Sequence, residues 1–174
     1  VQFDGQNDVI SVPVSTTQDY MVSLWINTTC PDCGIYTLKS SSNEVLNQIY
    51  MSGGNVCSIV GSTEVCSRNA TVINGQWHHV VYSNKAGVAD LWLDGSIVNQ
   101  ITGSAMSVSG LGEALLGKAR RANRDYLNGQ LDDVRVFRYS QADRVVAQLL
   151  KRAPLFLSHL DDQDPSDGIK GDTA

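Results

Sequence analysis

Three segments in the second half of this chain of 174 residues most constrain its fold. They span residues 77–82, 89–95 and 129–137, and each is rich in β-branched and aromatic residues. Pairs of turn-forming residues stand beside them, at Asn74-Gly75, Ala86-Gly87, Asp94-Gly95 and Asn128-Gly129. Short apolar runs between such turns predict β-strands joined by tight reversals.

The same pattern recurs along the rest of the chain. Strands are predicted near residues 1–4, 8–14, 20–27, 34–40, 45–51, 54–60, 63–68, 71–73, 77–84, 88–94, 97–101, 113–117 and 130–138. Many short strands with regularly spaced turn signals are typical of a β-sandwich. Because 42% of the residues are hydrophobic and 18% are charged, the chain can bury one substantial core, which favours a single domain.

One segment near the C-terminus has a helical pattern instead. Ser140 can cap its start, apolar residues recur at helical spacing between 145 and 150, and Pro154 follows its end. Because proline cannot continue a helix, the pattern predicts one short helix that stops before Pro154.

Six stretches follow one another in an order that is nearly a family signature. They are Phe3-Asp4-Gly5 with Asp8-Val9-Ile10, and then residues 22–26, 75–80, 91–95, 116–117 and 129–136. In this order they resemble the laminin G-like, concanavalin A-like jelly-roll modules. The resemblance implies an all-β fold, a two-sheet antiparallel jelly-roll sandwich with one short helix near the C-terminus.

The resemblance also suggests a division of the chain. Residues 1–153 are expected to form the laminin G-like jelly-roll domain, and residues 154–174 add a strand-like run and an acidic loop. In the family such a strand and loop usually precede the segment that matches Phe3-Asp4-Gly5. Either the tail closes the same domain, within a monomer or by strand exchange in a dimer, or it starts a following repeat. Closure would satisfy backbone groups at a sheet edge.

The four cysteines favour an extracellular or cell-surface protein. With a two-residue turn at residues 61–62, Cys57 and Cys66 fall opposite each other on a hairpin, which predicts a cross-strand disulfide. Cys30 and Cys33 could close a second, small ring across a turn, although a redox or zinc site also uses this spacing. The neighbouring segments are strand-like rather than helical, so structural disulfides are the preferred interpretation.

Catalysis is not expected. Related laminarinase-type glucanases place their glutamates along one strand as Glu-x-Asp-x-Glu, whereas Glu44, Glu64 and Glu113 lie far apart here. Glycoside hydrolysis needs a pair of neighbouring carboxyl groups. His78 and His79 follow each other in a strand, so their side chains point to opposite faces and cannot share a metal ion.

A structural calcium ion is the cofactor that the resemblance implies. Modules of this type commonly hold calcium with an aspartate of the last long strand, which corresponds to Asp132, and with groups near the first strand, for which Asp4 and Asp8 are candidates. Calcium prefers such oxygen ligands. The alternatives are a solvated strand end for Asp132 and turn formation for Asp4 and Asp8. The acidic loop at 161–168 is a weaker candidate.

Two places are candidates for ligand binding. Residues 118–124 hold four of the thirteen basic residues, and Arg120, Arg121 and Arg124 could grip sulfates or carboxylates, unless the loop is merely solvated. Trp92 alternates with core residues and is the aromatic candidate, whereas Trp25 matches a position that packs in the core of the family.

Charge and hydropathy exclude two classes of partner. A net charge of −5 argues against nucleic acid, and no apolar run is long enough to suggest membrane insertion. The sequence therefore predicts a non-catalytic extracellular recognition or adhesion module, whose partner is a glycan or an extracellular protein. The alternative is a structural repeat, or a protein-protein adhesion domain, of a large surface protein without a glycan ligand.

Overall fold

The computed structural model of the protein describes residues 1–16, 19–60, 63–68, 72–102, 110–119 and 126–137. These residues form twelve β-strands. The strands are β1 (Gln2–Asp4), β2 (Ile10–Thr16), β3 (Tyr20–Thr28), β4 (Gly34–Ser40), β5 (Val45–Ser52), β6 (Asn55–Val60), β7 (Thr63–Cys66), β8 (Trp77–Lys85), β9 (Val88–Leu93), β10 (Ser96–Thr102), β11 (Gly110–Leu116) and β12 (Asn128–Phe137).

The strands form two antiparallel sheets of six, which confirms the two-sheet sandwich that the resemblance implied. Sheet A has the order β1-β12-β3-β8-β9-β10, and sheet B has the order β2-β11-β4-β5-β6-β7. Of the strand expected at 71–73, the described residues Val72 and Ile73 lie in an irregular segment instead, and their side chains pack against the core. The expected helix at 140–152 and the tail at 154–174 lie outside the described residues.

The core lies between the two sheets, and alternation along each strand selects its members. Leu24 and Ile26 of β3 point inward from sheet A, and Leu38 and Ile49 point inward from sheet B. All four are fully buried. Because side chains alternate between faces, the residues between them point to the outer faces, where the candidate sites lie.

Two features position the loops around these faces. Asn99 of β10 donates a hydrogen bond from Nδ2 to the Cys66 carbonyl of β7 at 2.9 Å, which joins the two sheets along one side. After β11, Gly117 adopts φ +82°, and a Cβ there would overlap the Phe3 ring. Glycine is therefore required at the point where the chain turns toward Lys118.

The outer face of sheet A is partly apolar. Met21 and Val81 are fully buried on it, and Trp92 and Phe137 pack against them. Within the described ranges, no helix has the length and apolarity that a membrane crossing requires.

Candidate functional site

The Cys57–Cys66 disulfide is present, as the hairpin register predicted. Cys57 is opposite Cys66 and Val60 is opposite Thr63. Cys57 also packs with Tyr50, Ile59 and Ala119 on the outer face of sheet B.

The second predicted disulfide is wrong: Cys30 and Cys33 are free and buried. The Cys33 thiol instead donates a hydrogen bond to the Cys30 carbonyl at 3.7 Å. The turn is held by backbone hydrogen bonds to the β5–β6 hairpin, from Met51 N to Cys33 O and from Gly54 N to Pro31 O. Burial raises the pKa of the Cys33 thiol well above its ordinary value, so the thiol stays protonated and unreactive.

One further group has the composition of a metal site. Cys57, Glu64 and Cys66 bring their ligand atoms within 4.8 Å of one another. The two sulfurs, however, are bonded to each other, and the Glu64 carboxylate accepts a hydrogen bond from the Tyr50 hydroxyl. The chemistry of this donor set does not fit a cation, because a disulfide offers no thiolate.

The three aspartates predicted as one calcium site occupy two places. Asp8 Oδ2 accepts a hydrogen bond from the backbone N–H of Asp4 at 2.9 Å, so both residues build the exposed turn after β1. Asp4 is opposite Asn128, four residues along β12 from Asp132. At about 3.3 Å per residue, that register separates Asp4 from Asp132 by roughly 13 Å.

Asp132 itself lies on the outer face of sheet A, opposite Trp25. Its Oδ1 accepts a hydrogen bond from the Asp133 N–H at 2.7 Å, whereas its Oδ2 is buried without a hydrogen-bond partner. Burial raises the pKa of the Asp132 carboxyl, against the lowering effect of the Asp133 N–H. A buried carboxylate oxygen without a partner is costly, and a bound cation would compensate for that cost.

The two histidines point to opposite faces, as expected. His78 is half-buried between Asp94 Oδ2 at 2.8 Å and Asn74 Oδ1 at 3.0 Å. His79 is on the outer face of sheet A, yet only 1% of it is exposed. Its ring packs against Trp25 with the centroids 5.0 Å apart, so Trp25 is buried on this outer face rather than between the sheets.

Ser23 and His79 resemble the start of a nucleophile–base pair, but their environment opposes that role. Ser23 Oγ lies 2.8 Å from His79 Nε2, while His79 Nδ1 is buried without a partner. Burial lowers the pKa of His79 to about 4, with opposing effects of Asp94 and Asp133. Both side chains are 1% exposed, which leaves no room for a substrate beside them.

Of the predicted ligand residues, Trp92 lies in the part of the chain that the structure describes. Trp92 packs against Met21 and Val81 on the outer face of sheet A, with its Nε1 buried and unpaired. Arg120, Arg121 and Arg124 lie outside the described residues. The ends of their loop are described: Lys118 forms an isolated antiparallel bridge with Tyr126.

Those loop ends lie on the outer face of sheet B. Ala119 is fully buried against Tyr50 and Ile59, and the Thr37 hydroxyl donates a hydrogen bond to the Lys118 carbonyl at 2.8 Å. The described start of the loop, Lys118 and Ala119, is therefore anchored on sheet B, on the side of the molecule opposite Trp92.

A groove lies beside this anchor. It is lined by Thr37, Lys39, Asn43, Val45, Gln48, Leu115 and Lys118. Its floor is a row across three strands in which Leu115, Thr37 and Gln48 are neighbours. Gln48 Nε2 donates to Thr37 Oγ1 at 3.2 Å, which fixes this polar floor. We call this cavity the sheet-B groove.

Sequence reasoning pointed to Lys118 but missed the other groove residues. The strand pattern could have identified them, because Thr37, Lys39 and Gln48 stand at alternate positions of predicted strands, where polar side chains face away from the core. A second cavity shares Asn43 with the sheet-B groove and includes Glu113, whose carboxylate accepts a hydrogen bond from the Ser11 hydroxyl.

The family comparison agrees with this architecture. A model described as the concanavalin A-like lectin/glucanases superfamily matches residues 4–146. No curated protein matches the chain significantly.

Solved structures share the fold at low sequence identity. A native heptameric SAP-like pentraxin from Limulus polyphemus is 16% identical, with 86% of this chain and 80% of that chain covered and a TM-score of 0.68. Domains LG4-5 of the mouse laminin alpha1 chain are 18% identical over 79% of this chain, with a TM-score of 0.65, and this chain spans 42% of that fragment.

A third structure is domain 4 of an extracellular arabinanase from Geobacillus stearothermophilus, in complex with arabinotriose. It is 19% identical, with 86% of this chain and 75% of that chain covered and a TM-score of 0.63. At these identities the similarity shows a common fold.

Proposed function

Because this chain belongs to the concanavalin A-like lectin/glucanases superfamily, we propose that it is a non-catalytic recognition module that binds a glycan outside the cell. The observation that carries the proposal is the sheet-B groove. It combines a fixed polar floor with a rim of two lysines and Asn43. Concave sites with a few convergent polar groups are the usual form of a ligand site.

The arrangement of acidic residues supports binding rather than hydrolysis. The three glutamates are dispersed in the sequence, and Glu113, in the neighbouring cavity, is engaged by Ser11. A glycosidase needs two carboxyl groups held on either side of the scissile bond. The similar arabinanase domain, whose structure is a complex with arabinotriose, supports the proposal of a sugar site on a sandwich of this fold.

The Cys57–Cys66 disulfide supports a location outside the cell. The bond joins two neighbouring strands of a hairpin at the edge of sheet B. Stable structural disulfides form in oxidising compartments and are rare in the reducing cytosol.

A structural calcium ion at Asp132 is part of the proposal. The support is the buried Oδ2 of Asp132, which lacks a hydrogen-bond partner, and the backbone irregularity beside it, where Asp133 has φ 43°. Asp4 and Asp8 are candidates for a separate, more exposed position, because the strand register keeps them away from Asp132. In both places, the role of calcium would be to stabilise the loops.

The second candidate is a structural or protein-adhesion domain within a larger surface protein. It is favoured by the similarity to a laminin fragment that contains two such domains. Under this alternative, the disulfide and calcium serve stability, and the groove has no glycan ligand.

A glycan array probed with and without calcium tests the proposal. Selective binding of a glycan class, without cleavage of the bound glycans, is the expected result. A calcium-loaded, folded protein that binds no glycan would reject the glycan function and favour the structural alternative. Hydrolysis of any array ligand would contradict the non-catalytic assignment.

A further inference from the structure

We propose that the Asn74-Gly75 turn is a site of self-modification, at which Asn74 is converted to aspartate or isoaspartate through a cyclic imide. The turn leads into β8, and the reacting groups all belong to this chain, with water as the co-reactant. Three features favour the reaction at Asn74: the backbone at Gly75, the contacts of the Asn74 side chain, and the contrast with a second Asn-Gly pair in the same chain.

Gly75 supplies the nucleophile, which is its backbone nitrogen. Gly75 has φ +71° and no Cβ, so no side chain of its own hinders the approach of this nitrogen to the Asn74 side chain. Its N–H donates a hydrogen bond of 3.3 Å to the Thr28 carbonyl, which is long for a bond of this type. Asn74 is exposed, and residues 74–76 form a bend outside the strands. Ring closure at this position therefore does not disrupt a sheet ladder.

The Asn74 side chain supplies the electrophile, which is its carbonyl carbon Cγ. Its Oδ1 accepts a hydrogen bond from the Gln76 N–H at 2.8 Å and lies 3.0 Å from His78 Nε2. The other ring nitrogen, His78 Nδ1, lies 2.8 Å from Asp94 Oδ2, which orients the ring. When the ring is protonated both nitrogens donate, so Asn74 Oδ1 faces two donors. Such donors polarise a carbonyl and stabilise the negative charge that develops on its oxygen during attack.

The reaction balances with water alone. The Gly75 nitrogen loses its proton to solvent and forms a bond to Asn74 Cγ, while the Cγ–Nδ2 bond breaks. Nδ2 takes up a proton from solvent and leaves as ammonia. Water then opens the imide ring at either of its carbonyls, which gives aspartate or isoaspartate. A new carboxylate thereby replaces the neutral amide beside His78.

The second pair, Asn128-Gly129, is an internal control. Asn128 is also exposed, so exposure does not distinguish the two asparagines. Gly129, however, lies within a ladder, opposite Phe3 of β1 and Thr28 of β3. The Asn128 carbonyl also accepts a hydrogen bond from the Thr28 hydroxyl at 2.7 Å. Ring closure at Asn128 therefore requires local opening of sheet A, which slows the reaction.

Timed incubation of the purified protein near neutral pH, followed by peptide mapping with mass spectrometry, tests the proposal. The gain in mass that accompanies conversion of an amide to a carboxyl group is followed separately in the peptides that contain Asn74 and Asn128. Both are measured in the wild type and in His78→Gln. Lys85→Gln is the matched control, because Lys85 is exposed at the other end of β8. Melting temperatures establish that each variant is folded.

The reaction at Asn74 is expected to be at least about tenfold faster than at Asn128, because Asn128 reacts only from an opened sheet. His78→Gln should slow the reaction at Asn74 by about tenfold, since a polarising donor is lost, and should leave the rate at Asn128 unchanged. If His78 only stiffened the turn, its replacement would instead speed the reaction at Asn74. The Lys85→Gln variant should react like the wild type at both positions.

Two results would overturn the proposal. Absence of reaction at Asn74, or equal rates at Asn74 and Asn128, would show that the turn is not a modification site. An unchanged or faster rate at Asn74 in His78→Gln would remove the polarising role of the ring. The first comparison uses the wild type alone, so it decides the proposal even if His78→Gln does not fold.

Discussion

The burial of His79 on β8 predicts quantitatively how the stability of the protein depends on pH. The pKa of His79 is about 4 in the folded protein, compared with an ordinary value of 6.5, because burial disfavours its charged form. Between these pH values, the unfolded chain binds a proton at this position and the folded protein does not. Stability is therefore expected to decrease as the pH falls from about 6.5 to about 4.

The magnitude follows from the difference between the two pKa values. Each pKa unit corresponds to about 1.4 kcal/mol. The lowering of the His79 pKa from 6.5 to about 4 therefore predicts that the free energy of unfolding decreases by about 3 kcal/mol over this pH range. The ring is 1% exposed, which means that solvent screens the effect only weakly.

The assay is urea denaturation of the wild type and of His79→Gln at a series of pH values from 4 to 7, at steps of about half a unit. The free energy of unfolding of the wild type should fall more steeply than that of the variant, by about 3 kcal/mol in total. His78→Gln is the control, because His78 is half-buried between polar partners. The free energy of unfolding of His78→Gln should fall with decreasing pH as steeply as that of the wild type.

Asp132 contributes in the opposite direction, because burial raises the pKa of its carboxyl and protonation then favours the folded state. The contribution of Asp132 is the same in the wild type and in His79→Gln, so it cancels when their free energies of unfolding are compared. Parallel pH dependences for wild type and His79→Gln would refute the buried, neutral histidine and reopen a catalytic role for the Ser23–His79 pair.

Three further predictions concern stability. Replacing Cys57 and Cys66 by serine should lower the free energy of unfolding by about 2 to 3 kcal/mol in urea denaturation, and an unchanged midpoint would contradict a stabilising disulfide. Millimolar calcium should raise the melting temperature of the wild type by more than that of Asp132→Ala, and an equal rise in Asp132→Ala would exclude Asp132 as a calcium ligand. Deleting residues 154–174 should lower the melting temperature if the tail closes this domain, and a deletion variant with unchanged solubility and melting temperature would exclude closure.

Local patterns were sufficient to predict the strands and one hairpin register. β4 was expected at 34–40 and spans Gly34–Ser40, because alternating residues and flanking turn residues are both local signals. The Cys57–Cys66 pairing was predictable for the same reason, since a two-residue turn determines which residues face each other.

Contacts between distant segments were not predictable in this way. The separation of Asp4 from Asp132 depends on the register of β1 against β12, which no local pattern specifies. The burial of Trp25 and His79 on an outer face was also unexpected, because alternation tells which face a side chain is on but not whether that face is covered.

The candidate ligand surface was also not predictable from local sequence patterns. Trp92 and the basic loop were grouped in the sequence as ligand-binding elements, but Trp92 lies on the outer face of sheet A, whereas the described start of the loop at Lys118 and Ala119 lies on sheet B. The groove was missed because its floor comes from three strands, with Leu115, Thr37 and Gln48 brought side by side only in the folded sheet. A sequence alternation shows that these residues face outward, whereas the cavity arises from their tertiary arrangement.

Amide chemical-shift mapping of the isotope-labelled protein with a bound glycan tests the central claim most directly. If the module recognises glycans through the sheet-B groove, the largest shifts will fall on Thr37, Lys39 and Gln48, and the glycan will remain intact. Shifts centred on Trp92 and the outer face of sheet A, or hydrolysis of the glycan during the titration, would contradict the account.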